Sequence, residues 1–198
     1  MRWLIVSVVA IIAAHLADEV AWRTLRMSDV YEKDWGRLLR SLGYLPTWWA
    51  VALAYWLEAR DRPHGGRVAL YLALSPTAGG GVAELGKILM RRLRPDDLTF
   101  GYAFRPYSDH FWSNKGMGLP SSHTLCAFAG AAALAHVFPR ARWVFYALAA
   151  GCAVTRVMAN AHFLSDVTVA ACLGVAVGWV LADRLRVPDS RTGGLDPF

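Results

Sequence analysis

Lys87 is followed seven residues later by Arg94 and then Pro95. On a helix that interval is two turns, so both cationic side chains would leave one face about 10 Å apart and converge on a single anion, with the proline stopping the helix. Pro120-Ser121-Ser122-His123 opens an apolar run. A serine cap with free backbone N–H groups at a helix start is a natural anion site, and His123 would sit in the first turn beside whatever binds. Thr155-Arg156 precedes His162, and Asp166 stands four residues beyond that histidine. If the last two share a helix, they lie on one face, where a carboxylate can hold an imidazole in one tautomer.

Each block alone has an ordinary explanation. Glu84 can pair with Lys87 at i,i+3, Arg91 and Arg92 can meet lipid phosphates, the serines can be a plain N-cap, and His162 can simply pair with Asp166. Taken together they supply three cations, a backbone anion nest, two histidines and a carboxylate. That inventory suits phosphoryl transfer without a metal. Cations and N–H groups neutralise the equatorial oxygens, one histidine attacks phosphorus and the other protonates the leaving oxygen. A metal held by His123, His162 and Asp166 is disfavoured by the neighbouring Lys and Arg, so no metal and no cofactor is expected.

The elements that must position these residues are apolar. Of 198 residues 56% are hydrophobic and 18% charged, against about 25% charged in soluble domains. The mean hydropathy of +0.31 agrees. Disorder and a charge-rich coiled coil are excluded. The net charge of +6 is spread over the edges of apolar runs instead of one dense patch, so no nucleic acid is expected; anionic lipid or a phosphorylated substrate is the better partner. Nine Trp fit interfacial belts. Cys126, Cys152 and Cys172 lie in apolar stretches without metal or redox spacing.

Six charge-free stretches, 3–17, 41–57, 68–83, 116–139, 143–155 and 167–182, predict an all-α bundle of six transmembrane helices in one membrane-embedded domain over residues 1–198. The first is read as a retained helix and not a cleaved signal, because His15 and Leu16 interrupt the small-residue pattern. Residues 18–40 read as an amphipathic segment lying in the interface, and 187–198 as a flexible tail. Arg60, Arg62, Arg67, Arg140, Arg142, Arg184, Arg186 and Arg191 fall on one side of such a bundle, which makes that side cytoplasmic.

The three blocks resemble the type 2 phosphatidic acid phosphatase superfamily, which also takes in soluble acid phosphatases and vanadium haloperoxidases. Its pattern, K-x6-R-P, P-S-G-H and S-R-x5-H-x3-D, is matched in order and internal spacing from Lys87 to Asp166. The resemblance implies an acid-phosphatase/haloperoxidase-like core. It makes His162 the nucleophile of a phosphohistidine intermediate, Asp166 its orienting partner, and His123 the general acid and then base. It gives phosphate binding to Lys87, Arg94, Ser121, Arg156 and the Ser122 backbone N–H. Two residues depart from the pattern: Ser122 replaces glycine and Thr155 replaces serine.

The expected function is therefore an integral-membrane lipid phosphatase acting on phosphatidate, phosphatidylglycerophosphate, a polyprenyl diphosphate or lipid A. In membrane members of this superfamily the site faces outward, which here means the periplasmic or exterior face of a bacterial inner membrane. A phosphotransferase using the same intermediate and a non-catalytic lipid-binding protein are the alternatives. Partners are the lipid substrate and membrane lipids, and the oligomeric state stays open.

Overall fold

A computed structural model describes residues 2–188, and these fold into a bundle of helices: α1 (Arg2–Thr24), α2 (Asp34–Ser41), α3 (Leu45–Ala59), α4 (Gly65–Met90), α5 (Ser122–Val137), α6 (Arg142–Met158) and α7 (Leu164–Arg184). A single 3₁₀ turn, Pro139–Ala141, precedes α6. Of the tail expected over residues 187–198, residues 189–198 lie outside the described residues, while Val187 is buried with its N–H on the Ala182 carbonyl.

The all-α class holds, but the expected six membrane-spanning helices are corrected to three. Among the described residues, only α1, α4 and α7, with 23, 26 and 21 residues, are long and apolar enough to cross a bilayer. A hydrocarbon core of about 30 Å needs roughly 20 helical residues, whereas α3, α5 and α6 have 15, 16 and 17. The reason is that a charge-free run is not the same thing as a helix. The stretch 116–139 spends its first residues on a loop and becomes helical only at Ser122, and the stretch 41–57 begins with the end of α2 and a turn. In the segment 18–40, the first seven residues continue α1, and only Asp34–Ser41 forms a separate short helix.

At the centre stands α5, packed on α4, α6 and α7. Its sequence, dominated by Ala, lets backbones approach closely, as small residues do between helices in membranes. Gly174 of α7 shows how tight this is: a Cβ there would lie 2.8 Å from the Leu125 carbonyl oxygen. Gly130 of α5 likewise makes room for the Trp48 indole, whose ring atoms would be 2.5 Å from a Cβ. Leucines, valines and isoleucines on the outer faces of α1, α4 and α7 stay exposed, the expected surface toward lipid.

All the charged motifs gather at one end of the bundle, where α1, α4 and α6 finish and α5 and α7 begin. The arginine-bearing turns lie at the other end, where Arg67 donates to the Arg186 carbonyl and Tyr55 packs on Phe138.

Candidate active site

The site end is shaped first by how α4 stops. Arg91 adopts a left-handed conformation (φ 55°) with its N–H on the Lys87 carbonyl, so α4 ends four residues before Pro95 would have stopped it. Lys87 and Arg94 therefore do not share a helix. Residues 92–94 instead run extended, with antiparallel bridges from Arg92 to Phe104 and from Leu93 to Met117, and with the Arg94 N–H on the Gly116 carbonyl. The Arg91 guanidinium organises the intervening loop by donating to the carbonyls of Arg105, Pro106, Asp109 and Phe111. It is 1% exposed, so contact with lipid phosphates is not its task.

Nor do His162 and Asp166 share a helix, since α7 starts at Leu164. Asp166 lies in the first turn and reaches back, its Oδ2 accepting the Phe163 N–H at 2.9 Å. His162 is 3% exposed. Its Nδ1 lies 2.8 Å from the Gly118 carbonyl oxygen and 3.8 Å from Asp166 Oδ2. A carbonyl can only accept, so Nδ1 carries the proton and Nε2 keeps its lone pair. Burial lowers the imidazole pKa to about 4 against the opposing pull of Asp166, with Arg156 and Arg94 adding to the fall. At neutral pH the ring is therefore uncharged.

Around this ring the other expected residues assemble. Arg156 lies in the last turn of α6, is 5% exposed, and donates from Nη1 to the Tyr31 hydroxyl at 2.8 Å. Arg94 is close enough for burial and the Arg156 charge to depress its pKa, with Asp166 and Tyr31 opposing. His123 stands in the first turn of α5, edge-on to Tyr44 with ring centroids 5.1 Å apart. Its neighbouring charges include Arg156, Arg40 and Lys87. Ser121 holds the N-cap position without a side-chain capping bond; its Oγ takes a hydrogen bond from Thr124, and it is wholly buried. The Ser122 hydroxyl donates to Glu84 Oε1 at 2.6 Å and also receives Lys87 Nζ, which lies 2.7 Å from the same carboxylate oxygen. The added side chain at the family's glycine position is thus tied to Glu84 and Lys87. Among the described residues, no three His, Cys, Asp or Glu side chains are placed to hold a metal ion.

Several participants have no counterpart among the expected residues. Arg92 is buried and ion-pairs with Asp166, its Nε 3.0 Å from Oδ1, while its Nη2 donates to Ser165 Oγ at 2.8 Å. Asp18 of α1, 1% exposed, accepts from the Ser165 N–H at 2.8 Å, the Ser165 hydroxyl at 2.5 Å and the Tyr102 hydroxyl at 2.7 Å. The first carboxylate after the long apolar run of α1 is the sequence signal for Asp18. Tyr31 and Gly118 have none. Gly118 is where it is because a Cβ would come 2.9 Å from Asp166 Oδ2. Substituting Gly118→Ala should therefore displace that carboxylate and the carbonyl beneath His162.

The fold is a bundle with membrane-length helices and with two histidines, three cations and a buried carboxylate at one end, and the chain belongs to the PAP2 superfamily, whose model matches residues 67–186. Every expected site residue falls within the match, whereas Asp18, Tyr31 and Arg40 precede it. The chain is similar to a protein named lipid A 1-phosphatase in Rhizobium etli, 36% identical over 57% of this chain and 47% of that one. It is similar also to one of the same name in Rhizobium johnstonii, 36% identical over 54% and 43%. The inositol phosphorylceramide synthase catalytic subunit of Schizosaccharomyces pombe is 31% identical over 49% of this chain and 23% of its own. The matched part spans less than half the length of each of these relatives. No solved structure gives a significant match.

Proposed function

We propose that this chain is an integral-membrane lipid phosphatase, hydrolysing a lipid phosphate or diphosphate of the phosphatidate, phosphatidylglycerophosphate, polyprenyl diphosphate or lipid A type through a phosphohistidine at His162. The observation that carries the reading is the His162 tautomer: Nδ1–H is tied to the Gly118 carbonyl, so the Nε2 lone pair is the free one. Two further nitrogens, Arg156 Nε and His123 Nε2, are buried without a partner, as groups awaiting an anion would be.

In the first step Nε2 of His162 forms the N–P bond as the P–O bond to the lipid breaks. The leaving oxygen takes a proton from His123, whose imidazolium form a bound phosphate dianion stabilises. Positive charge grows on the His162 ring, and Asp166 lies where it lowers the energy of that charge. In the second step His123 removes a proton from water, the water oxygen bonds to phosphorus, and the N–P electrons return to His162 with release of inorganic phosphate. Lys87, Arg94, Arg156 and the N–H groups of Ser121 and Ser122 would neutralise the phosphoryl oxygens in both steps. The arginine-rich turns at the opposite end of the bundle favour a cytoplasmic location for that end and a periplasmic or exterior one for the site.

Release of phosphate from a panel of these lipids in detergent with EDTA, and its inhibition by vanadate, tests the reading; strict dependence on a divalent ion would overturn it. The pH profile gives a second check. The nucleophile is the neutral ring, present above its pKa and lost as pH falls through it, so the enzyme's acid limb in kcat/KM should lie near pH 4, where burial puts His162. An enzyme limb at the ordinary imidazole value of 6.5 would mean that the ring is not sheltered in this way.

A further inference from the structure

A helix ahead of the family-matched segment brings one more cation to the candidate site. Arg40 is in the last turn of α2, and its guanidinium carbon lies 4.6 Å from the Tyr31 ring centroid and 5.7 Å from that of Tyr44. Tyr31 holds Arg156, and Tyr44 lies against His123. Arg40 is thus anchored by the two rings that also contact the candidate acid and a phosphate-binding arginine. No carboxylate pairs with it among the described residues, although Arg23, Arg26, Arg37, Arg92 and Arg105 each have one. Its Nε is buried without a hydrogen-bond partner, as are Arg156 Nε and His123 Nε2. A planar fork of donors held by stacking and left without an acceptor is the arrangement that takes an oxyanion.

The position of that oxyanion follows from the chemistry already assigned. In an in-line displacement the leaving oxygen stands opposite His162 and next to His123, so a cation on the His123 side meets the substrate beyond the leaving oxygen. We propose that Arg40 binds an anionic group on the leaving-group side, and that the preferred substrates are lipids whose leaving group itself carries negative charge. Two sources share that chemistry: a lipid diphosphate, whose leaving group is a lipid monophosphate, and a phosphomonoester on a lipid that also contains a phosphodiester. The proposal rests on the roles given above to His162 and His123. That assignment fails separately, if His162→Ala keeps its activity.

The test uses the full chain in detergent, with wild type, Arg40→Gln and Arg40→Lys compared on a polyprenyl diphosphate, phosphatidylglycerophosphate and phosphatidate. Loss of one charge-assisted contact should lower kcat/KM of Arg40→Gln about 10- to 100-fold on a substrate with an anionic leaving group. On phosphatidate the loss should be no more than about threefold, with vanadate inhibition unchanged and Arg40→Lys intermediate. A loss on only one of the two anionic classes supports the proposal and identifies the source. Equal losses on all three with weaker vanadate binding would overturn it, making Arg40 a ligand of the transferred phosphoryl group. No loss on any substrate would overturn it too, leaving only a packing role. Should the variants fail to fold, wild-type competition decides: inorganic pyrophosphate should inhibit phosphatidate hydrolysis about tenfold more tightly than inorganic phosphate, and equal inhibition would overturn the assignment.

Discussion

Replacing His162 by alanine should lower phosphate release by about 10⁴-fold or more, the scale of losing a covalent nucleophile. The fold should survive, because the ring's shortest polar contact among the described residues is the Gly118 carbonyl, which sits in a loop and can take a water in the space the ring leaves. Replacing His123 by alanine should be the informative companion. Without an acid the first step slows, but a good leaving group needs little protonation. With an activated aryl phosphate the N–P bond should still form while the water step loses its base, so radiolabelled phosphate should accumulate on His162. The label should be stable to base and labile to acid, as expected of an N–P bond, and absent from the double variant lacking both histidines. Labelling of any other residue, or turnover persisting in His162→Ala, would remove this histidine from the role of nucleophile.

The polar residues of the site are legible in the amino-acid sequence because they keep fixed order and spacing while the rest of the chain is apolar. Lys87, Arg94, Ser121, Ser122, His123, Arg156, His162 and Asp166 do meet at one end of the bundle. What spacing does not reveal is the local geometry that delivers them. A two-turn helical interval is sufficient on paper for Lys87 and Arg94, yet the left-handed Arg91 ends the helix between them. An i,i+4 interval is sufficient on paper for His162 and Asp166, yet the histidine precedes the helix and a backbone carbonyl is nearer to its Nδ1. The number of membrane spans is overestimated for a related reason, since absence of charge marks a loop such as 117–121 as readily as a span. Partners distant in sequence are the least visible. Asp18 meets Ser165 across 147 positions and Tyr31 meets Arg156 across 125, and neither pairing has a local signature.

The buried pair of Arg92 and Asp166 carries the other large expected effect. Arg92 donates to Asp166 Oδ1 and to Ser165, and its guanidinium lies 4.9 Å from the Tyr102 ring centroid and 5.2 Å from that of Phe163. Arg92→Met would keep much of that packing and leave a carboxylate, 0% exposed, without its cation. Breaking a buried pair from one side costs about 3–5 kcal/mol, and the thermal midpoint in detergent should fall accordingly. Asp166 would then lose the partner that fixes its carboxylate near His162, and activity should fall with stability. The double variant Arg92→Met with Asp166→Leu separates the two consequences. Removing both charges should restore a good part of the midpoint, less the roughly 1–3 kcal/mol for the Phe163 N–H that loses Oδ2. Activity should stay lost, because nothing then offsets the charge that grows on His162. If the double variant regains activity along with its midpoint, Asp166 serves only the fold; if Arg92→Met alone leaves the midpoint within about a degree, the pair contributes little to either.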